Sequence, residues 1–317
     1  MILIGGIADE TPTALVIEAL AEIGANYRVF DQRRAADAEM AIEIADSAGG
    51  GAIGGVLTLA GEAVPLSAVS AIYLRPMDDN LLPDTSALPP HAPARRHVRR
   101  LHELLLGFAD IAPGRVLNRP AAMGSNHSKP FQAHAIRAAG FDIPDTLITN
   151  DPTAARAFIE EAWAEDGGVI YKSVSGIRSI VQTVERRDLA RLDRIRWCPT
   201  QFQRHVAGTD IRVHVVGQTV LAATIESDAA DYRYAARQTG IEPTIAAIEL
   251  DPATRLRCVG LAQRLELPLA GIDLRRTADG RTVCFEVNPS PAFSFYEQRT
   301  GLPIAAAIAR HLAGEAD

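Results

Sequence analysis

Two hydrophobic rhythms alternate along the chain, and the switches between them mark out its elements. Met1–Gly6 is a short apolar run, Thr11–Gly24 spaces its apolar residues helically, and Tyr27–Phe30 is strand-like again. This predicts a β-α-β start with a right-handed crossover. Gly54–Leu59 and Ala71–Pro76 read as further strands, and the proline-rich stretch Asp78–Ala94 reads as a loop. Arg95–Ile111 returns to helical spacing. A polar loop then leads into a helix from about Ser128 to Gly140, a strand at Ile143–Thr149 and an amphipathic helix at Pro152–Glu165. Two apolar strands follow, flanking a small-residue loop from Ser173 to Ser179. Cys198–Ser227 carries more strands, Ser227–Gly240 is polar and turn-rich, and Pro252–Leu267 is a helix with core spacing. Ser294–Leu312 gives a loop and a last helix starting near Pro303, where proline suits the first turn.

The sharpest local signal lies in Ala270–Phe293. Asp279-Gly280 is a strong two-residue hairpin turn, because a type I′ turn needs positive φ at both central positions. That register sets Asp273 opposite Glu286, and period-2 alternation puts Asp273, Glu286 and Asn288 on one face, with Phe285 and Val287 on the other. Two carboxylates about 5 Å apart at an effective dielectric of about 20 repel by roughly 3 kcal/mol. A positive charge between them is therefore expected. Two carboxylates and an amide oxygen are hard donors suited to Mg²⁺. A solvated hairpin face or a bulged register would also account for the pattern.

Composition narrows the classes. With 317 residues the chain can hold two or three cored units, and a formal charge of −7 argues against general nucleic-acid binding. Cys198, Cys258 and Cys284 lie far apart without CxxC spacing, so neither a zinc site nor a disulfide framework is expected, and a reducing cytoplasm fits. The apolar run Ala48–Leu74 is broken by Glu62 and Pro65 and reads as strands rather than a membrane span. No secretory signal core opens the chain. Ser175, Ser290 and Cys284 lack an adjacent His and acid, which disfavours a triad hydrolase. There is no GxGxxG turn after the first strand, which disfavours a dinucleotide site there.

Of 32 Lys plus Arg, lysine occurs only at Lys129 and Lys172. A lysine surviving such a bias fits a place where a compact ammonium is needed and a guanidinium fork is not. Lys129 opens a helix, where a cation is disfavoured by the dipole, so a bound anion is expected nearby. Lys172 ends a strand before the Ser173–Ser179 loop, whose backbone N–H groups can approach phosphate oxygens. Arg95, Arg96, Arg99 and Arg100 cluster on one helix start and read either as a dock for an acidic substrate or as a solvated face.

The segments "GIDLR" and "CFEVNPSP" resemble the metal-binding signature of the ATP-grasp superfamily. Within it the pattern is similar to RimK-type ribosomal-protein glutamate ligases and to the ligases that cross-link microviridin-like peptides. The resemblance is good from about Asn118 to Leu312 and covers the first hundred residues only in general shape. It implies an α/β protein: an N-terminal pre-ATP-grasp three-layer domain at 1–117, a central ATP-grasp subdomain at 118–197 and a C-terminal subdomain with the metal site at 198–317. It implies Asp273, Glu286 and Asn288 as ligands of two Mg²⁺ ions of MgATP, with Mn²⁺ able to substitute. Lys129 and Lys172 match the family's two ATP-contacting lysines, and Ser175, Gly176 and Arg178 sit in its phosphate loop. Gln203 to Val206 match the adenine linker and Asp210 the ribose position, although Arg204 and His205 depart from the usual acidic and aromatic residues. Arg212 and Arg233 match arginines at the transferred phosphate and incoming substrate. Ser290, Phe293, Tyr296 and Arg299 follow the metal ligands and read either as acceptor contacts or as packing.

The implied reaction joins an activated carboxylate to an amine, with peptide or small-molecule substrates, no nucleic acid and no membrane, and room for a homo-oligomer. Macrocyclising ester or amide formation on a ribosomally made precursor is the alternative. A non-catalytic MgATP-binding regulator is the third reading.

Overall fold

Four β-sheets carry the chain, and the helices between them are placed by the apolar faces they must cover. The computed structural model describes residues 1–45, 52–78, 80–174, 181–227 and 243–315. The first sheet is parallel, with β1 (Ile2–Gly6), β2 (Tyr27–Asp31), β6 (Ala71–Arg75) and β7 (Arg115–Leu117) in the order β2-β1-β6-β7. All five residues of β1 are buried, as a strand covered on both faces requires, which is why it reads as a continuous apolar run. The helix Thr11–Glu22 makes the expected β-α-β connection, and the helix Pro93–Ile111 buries Val98, Leu101, Leu105 and Phe108 in the core beneath Leu3 and Ile72.

A three-stranded antiparallel sheet flanks this unit: β3 (Glu39–Ala45), β4 (Ala52–Leu59) and β5 (Glu62–Pro65), with β3 at an edge. Only β4 was expected from the apolar pattern. β3 alternates Glu39 and Glu43 with half-buried Met40 and Ile42, and its short acidic pattern reads poorly against a nearby helix. The third sheet contains β8 (Thr146–Thr149), β9 (Val169–Ser173), β10 (Gln182–Thr183) and β11 (Thr200–Arg204), ordered β10-β9-β11-β8. The helix Pro152–Ala164, capped by the Asp151 carboxylate accepting from the Thr153 N–H, covers it through Ala155, Ile159 and Ala162.

The fourth sheet is antiparallel and positions the site. It comprises β12 (Thr209–Val216), β13 (Thr219–Glu226), β14 (Thr244–Ile248), β15 (Leu269–Arg276) and β16 (Thr282–Asn288), ordered β14-β13-β12-β15-β16. Helices Lys129–Ala138 and Pro252–Arg264 cover one face through Ile136, Cys258, Leu261 and Ala262. The last helix, Ile304–Ala313, places Ile304, Ile308 and Leu312 in a core shared with Val16 and Leu20 of the first unit and Val216 and Leu269 of the fourth sheet.

Two local expectations are corrected. Ser294–Thr300 is a helix rather than a loop, ended by Gly301 at φ +71°; its buried Tyr296 packs inward. The hairpin turn is also not a two-residue turn. The Gly280 N–H donates to the Thr277 carbonyl and the Thr277 N–H to the Arg281 carbonyl, with Gly280 alone at positive φ (+86°). Near the turn Arg276 therefore faces Thr282, and a bulge between Asp273 and Leu274 restores the pairing of Asp273 with Glu286. The expected register holds at the carboxylates because these two departures cancel. Cys258 and Cys284 are buried and Cys198 is exposed, all as free thiols. Among the described residues no helix is long and apolar enough to cross a membrane.

Candidate active site

The site forms where the third and fourth sheets meet the start of the helix Lys129–Ala138. Asp273 on β15 pairs with Glu286 on β16 on one side and with Arg212 on β12 on the other. The Arg212 Nη1 donates to Asp273 Oδ1 at 2.6 Å. Gly271 makes room for this: a Cβ there would lie 2.1 Å from the Arg212 guanidinium and 2.8 Å from Pro291. The ammonium groups of Lys129 and Lys172 approach Glu286 Oε2 at 3.4 and 3.5 Å, from a helix start and from the third sheet. The two residues singled out by lysine scarcity thus converge on one carboxylate.

The expected positive charge beside the facing acids is present. Among the described residues three protein cations lie against the two carboxylates. The acids retain 30% and 29% side-chain exposure, whereas Lys129, Lys172 and Arg212 retain 14%, 11% and 7%. Among the described residues these partly desolvated cations outnumber the two carboxylates by one. A surplus of this kind suits an anionic ligand better than a bare cation. Among the described residues no group of three or more His, Cys, Asp or Glu is gathered here; the hard oxygen donors are Asp273, Glu286 and the Asn288 amide.

Asn288, opposite Gly271, uses its Oδ1 to accept the Ser290 N–H at 2.8 Å. Backbone ties that the apolar pattern does not reveal hold this strand end. Buried Gln132 donates to the Val287 carbonyl at 2.7 Å and accepts from its N–H, locking the Lys129 helix to β16. Buried Asn118 donates to the carbonyls of Leu269 and Pro289, both at 2.6 Å, and accepts from the Leu269 N–H. Arg75, at the carboxyl end of β6, donates to Ser290 Oγ and the Pro291 carbonyl, both at 3.1 Å, and faces Glu10. The only sequence hint for these three is a polar residue beside a strand end or on an apolar helix face.

His214 shares the strand face of Arg212 and packs 5.1 Å from the Tyr296 ring. Burial, then the nearby Arg212 charge, hold its pKa well below the ordinary value, so the ring is neutral. Arg212 also lies over Tyr296, 5.7 Å from its centroid. Phe293 is fully buried, and Arg299 stacks on Phe295. Burial pushes the Cys284 thiol well up, which suits packing and not nucleophilic chemistry.

The other predicted positions separate into two groups. Gln203 is buried and donates to Thr146 Oγ1 at 3.0 Å, while Arg275 ties the Val206 carbonyl (2.6 Å) to Asp210 (2.7 Å). These three lie along the segment that runs from β11 to the start of β12. Arg204 points to Asp145, Glu161 and Glu165, so this departure from the family pattern serves to fasten β11 to its covering helix. Ser175, Gly176, Arg178 and Arg233 lie outside the described residues.

Comparison with known proteins bears on the same region. The RimK-like ATP-grasp domain matches residues 128–312. A probable alpha-L-glutamate ligase of Mannheimia succiniciproducens is 26% identical over 76% of this chain and 82% of its own length. The ribosomal protein bS6–L-glutamate ligase of Salmonella paratyphi B is 32% identical over 60% of this chain; the match spans 64% of that relative, just under two thirds. The ATP-grasp ligase PsnB, solved with a phosphomimetic variant of its minimal precursor, Mg and ADP, is 29% identical with a TM-score of 0.75, covering 99% and 97% of the two chains. Macrocyclase MdnC of Microcystis aeruginosa MRC, bound with precursor peptide MdnA, shares the fold at 24% identity and a TM-score of 0.79, covering 99% of each chain. The matched region includes Lys129, Lys172, Arg212, Asp273, Glu286 and Asn288, and this chain belongs to the RimK-like ATP-grasp family.

Proposed function

We propose that this protein is an ATP- and Mg²⁺-dependent ligase that activates a carboxylate as an acyl-phosphate and joins it to an amine, with release of ADP and phosphate. The observation that carries the proposal is the convergence of Lys129, Lys172 and Arg212 on the facing pair Asp273 and Glu286. The donor set fits Mg²⁺ shared with a triphosphate, because the carboxylates supply hard oxygens and the surplus cations supply phosphate partners. Asp273, Glu286 and Asn288 are the residues that would hold the ions. Bound Mg²⁺ would supply charge neutralisation on the phosphate oxygens.

The chain's own groups do the rest by position. Lys129 and Lys172, both beside Glu286, would supply ammonium partners to the phosphate oxygens. Arg212, braced by Asp273, Tyr296 and the close approach at Gly271, offsets charge developing on the transferred group. Ser175, Gly176 and Arg178 are assigned to the phosphate loop, Arg233 to the incoming substrate, and Gln203, Val206 and Asp210 to adenosine. Phosphoryl transfer needs no enzyme nucleophile, in keeping with buried, unreactive Cys284.

Glutamate is the first donor to test, given the two glutamate-ligase relatives, and a peptide the first acceptor. The full-length likeness to PsnB, a ligase solved with its minimal precursor, favours the second reading, macrocyclising ester or amide formation on a ribosomally made precursor peptide. Measuring ADP release across amino acids and peptides tests the proposal. Turnover with at least one donor and acceptor pair is expected; tight nucleotide binding without turnover on any pair would replace it with a regulatory binder.

A further inference from the structure

The four arginines at the start of the helix Pro93–Ile111 divide into two pairs. Arg95 is buried and donates to the Leu88 carbonyl and to Asn80 Oδ1, and Arg99 reaches the same Asn80 oxygen. Packing therefore accounts for one pair. Arg96 and Arg100 are exposed, and among the described residues neither side chain makes an ion pair or hydrogen bond. They stand one turn apart, where like charges repel, near a helix N-terminus that disfavours cations and has no acidic residue in its first turn. Among the described residues Glu39, at the start of β3, is the one carboxylate beside them in the groove they share, so two guanidinium groups face a single acid there.

Both arginines line a groove of about 540 Å³ between this helix and the start of β3. Met40, Leu101 and Leu104 give it an apolar lining, and His97, whose Nε2 lies 3.1 Å from the Ala38 carbonyl, pins the two walls together. We infer that this groove docks an acidic stretch of a polypeptide substrate, carboxylates on Arg96 and Arg100 and an adjacent apolar side chain over Leu101 and Leu104. Acidic residues at alternate positions of an extended segment lie about 6.7 Å apart, close to the roughly 6 Å rise between Arg96 and Arg100. A second copy of this chain fits less well, since its own groove would bring the same two arginines to the contact. Single-stranded RNA fits less well too, since it needs a row of phosphate contacts and this groove offers two arginines with an apolar floor.

This inference names the substrate class of the ligase reading and rests on it. Its test is separate, because binding is read without ATP. A fluorescein-labelled peptide with glutamate and leucine at alternating positions is titrated with the whole protein and followed by anisotropy. Saturable binding is expected, weakened about tenfold by Arg96→Glu with Arg100→Glu, and absent for the peptide with lysine in place of glutamate. The lysine peptide uses the wild-type protein, so a misfolded variant cannot mimic the result. Equal binding of both peptides, equal binding by wild type and variant, no binding at all, or stronger binding of a labelled oligouridine would each overturn the inference. ADP release with a small acceptor is expected to be unchanged in the variant, which separates failure of the groove from failure of the ligase reading.

Discussion

Glu286→Gln is the most informative perturbation, because one carboxylate oxygen serves two ammonium groups. At 3.4 and 3.5 Å and an effective dielectric of about 20, each pair has a gross attraction of about 5 kcal/mol. Desolvation of the lysines offsets most of that, and the net loss on removing the charge is about 1–2 kcal/mol of stability. For a chain of 317 residues that is a drop of about 1.5–3 °C in Tm, read by thermal unfolding without nucleotide. The variant also changes the local balance from three cations facing two carboxylates to three facing one. Metal-free ATP is then expected to bind as well as in wild type or better, while the gain from adding Mg²⁺ shrinks. Turnover is expected to fall at least tenfold, about 1.4 kcal/mol of transition-state stabilisation. Calorimetric titration of ATP with and without Mg²⁺, beside an ADP-release assay, separates these effects. Wild-type turnover with an unchanged Mg²⁺ response would refute the reasoning.

Further outcomes follow from neighbouring residues. Lys172→Arg is expected to lose at least severalfold in turnover despite keeping its charge, because the guanidinium is wider and aims its donors differently; normal kinetics would remove the argument from lysine scarcity. Gly271→Ala is expected to displace the Arg212 guanidinium and cut turnover more than stability, checked by kinetics beside thermal unfolding. His214 has a folded pKa well below its unfolded value, so the unfolded chain binds the extra proton: its stabilising contribution is full above about pH 6.5 and declines as pH falls toward the folded value, by up to about 1.4 kcal/mol per pH unit. His214→Leu is therefore expected to flatten the stability profile between pH 7 and 5, and an unchanged slope would contradict the burial argument. A thiol reagent on the native protein is expected to modify Cys198 alone, since burial pushes Cys258 up to about 12 and Cys284 well above its ordinary value.

The parts of the site legible in the sequence were those with short-range or compositional signatures. The pairing of Asp273 with Glu286 was read from a two-residue turn that the structure does not have, and it holds because the three-residue turn and the bulge offset each other. Lysine scarcity pointed to Lys129 and Lys172 before any geometry did. What stayed hidden depends on contacts between distant segments. Asn118, Gln132 and Arg75 each satisfy backbone or side-chain groups 151 to 216 positions away, and no local periodicity encodes such partners. The compensation of the facing acids by Arg212 was invisible for the same reason, because β12 and β15 are joined across more than fifty residues. Helix Ser294–Thr300 escapes the pattern because seven residues with a single buried aromatic are too short to show a helical period.

Trapping with hydroxylamine tests the central claim most directly, because hydroxylamine intercepts an activated carboxylate whatever the natural acceptor. With ATP, Mg²⁺ and a panel of carboxylate donors headed by glutamate, the protein is predicted to form a hydroxamate in step with ADP, and Glu286→Gln to form at least tenfold less. ADP accumulating without hydroxamate, or no ADP with any donor, would contradict carboxylate activation at this site.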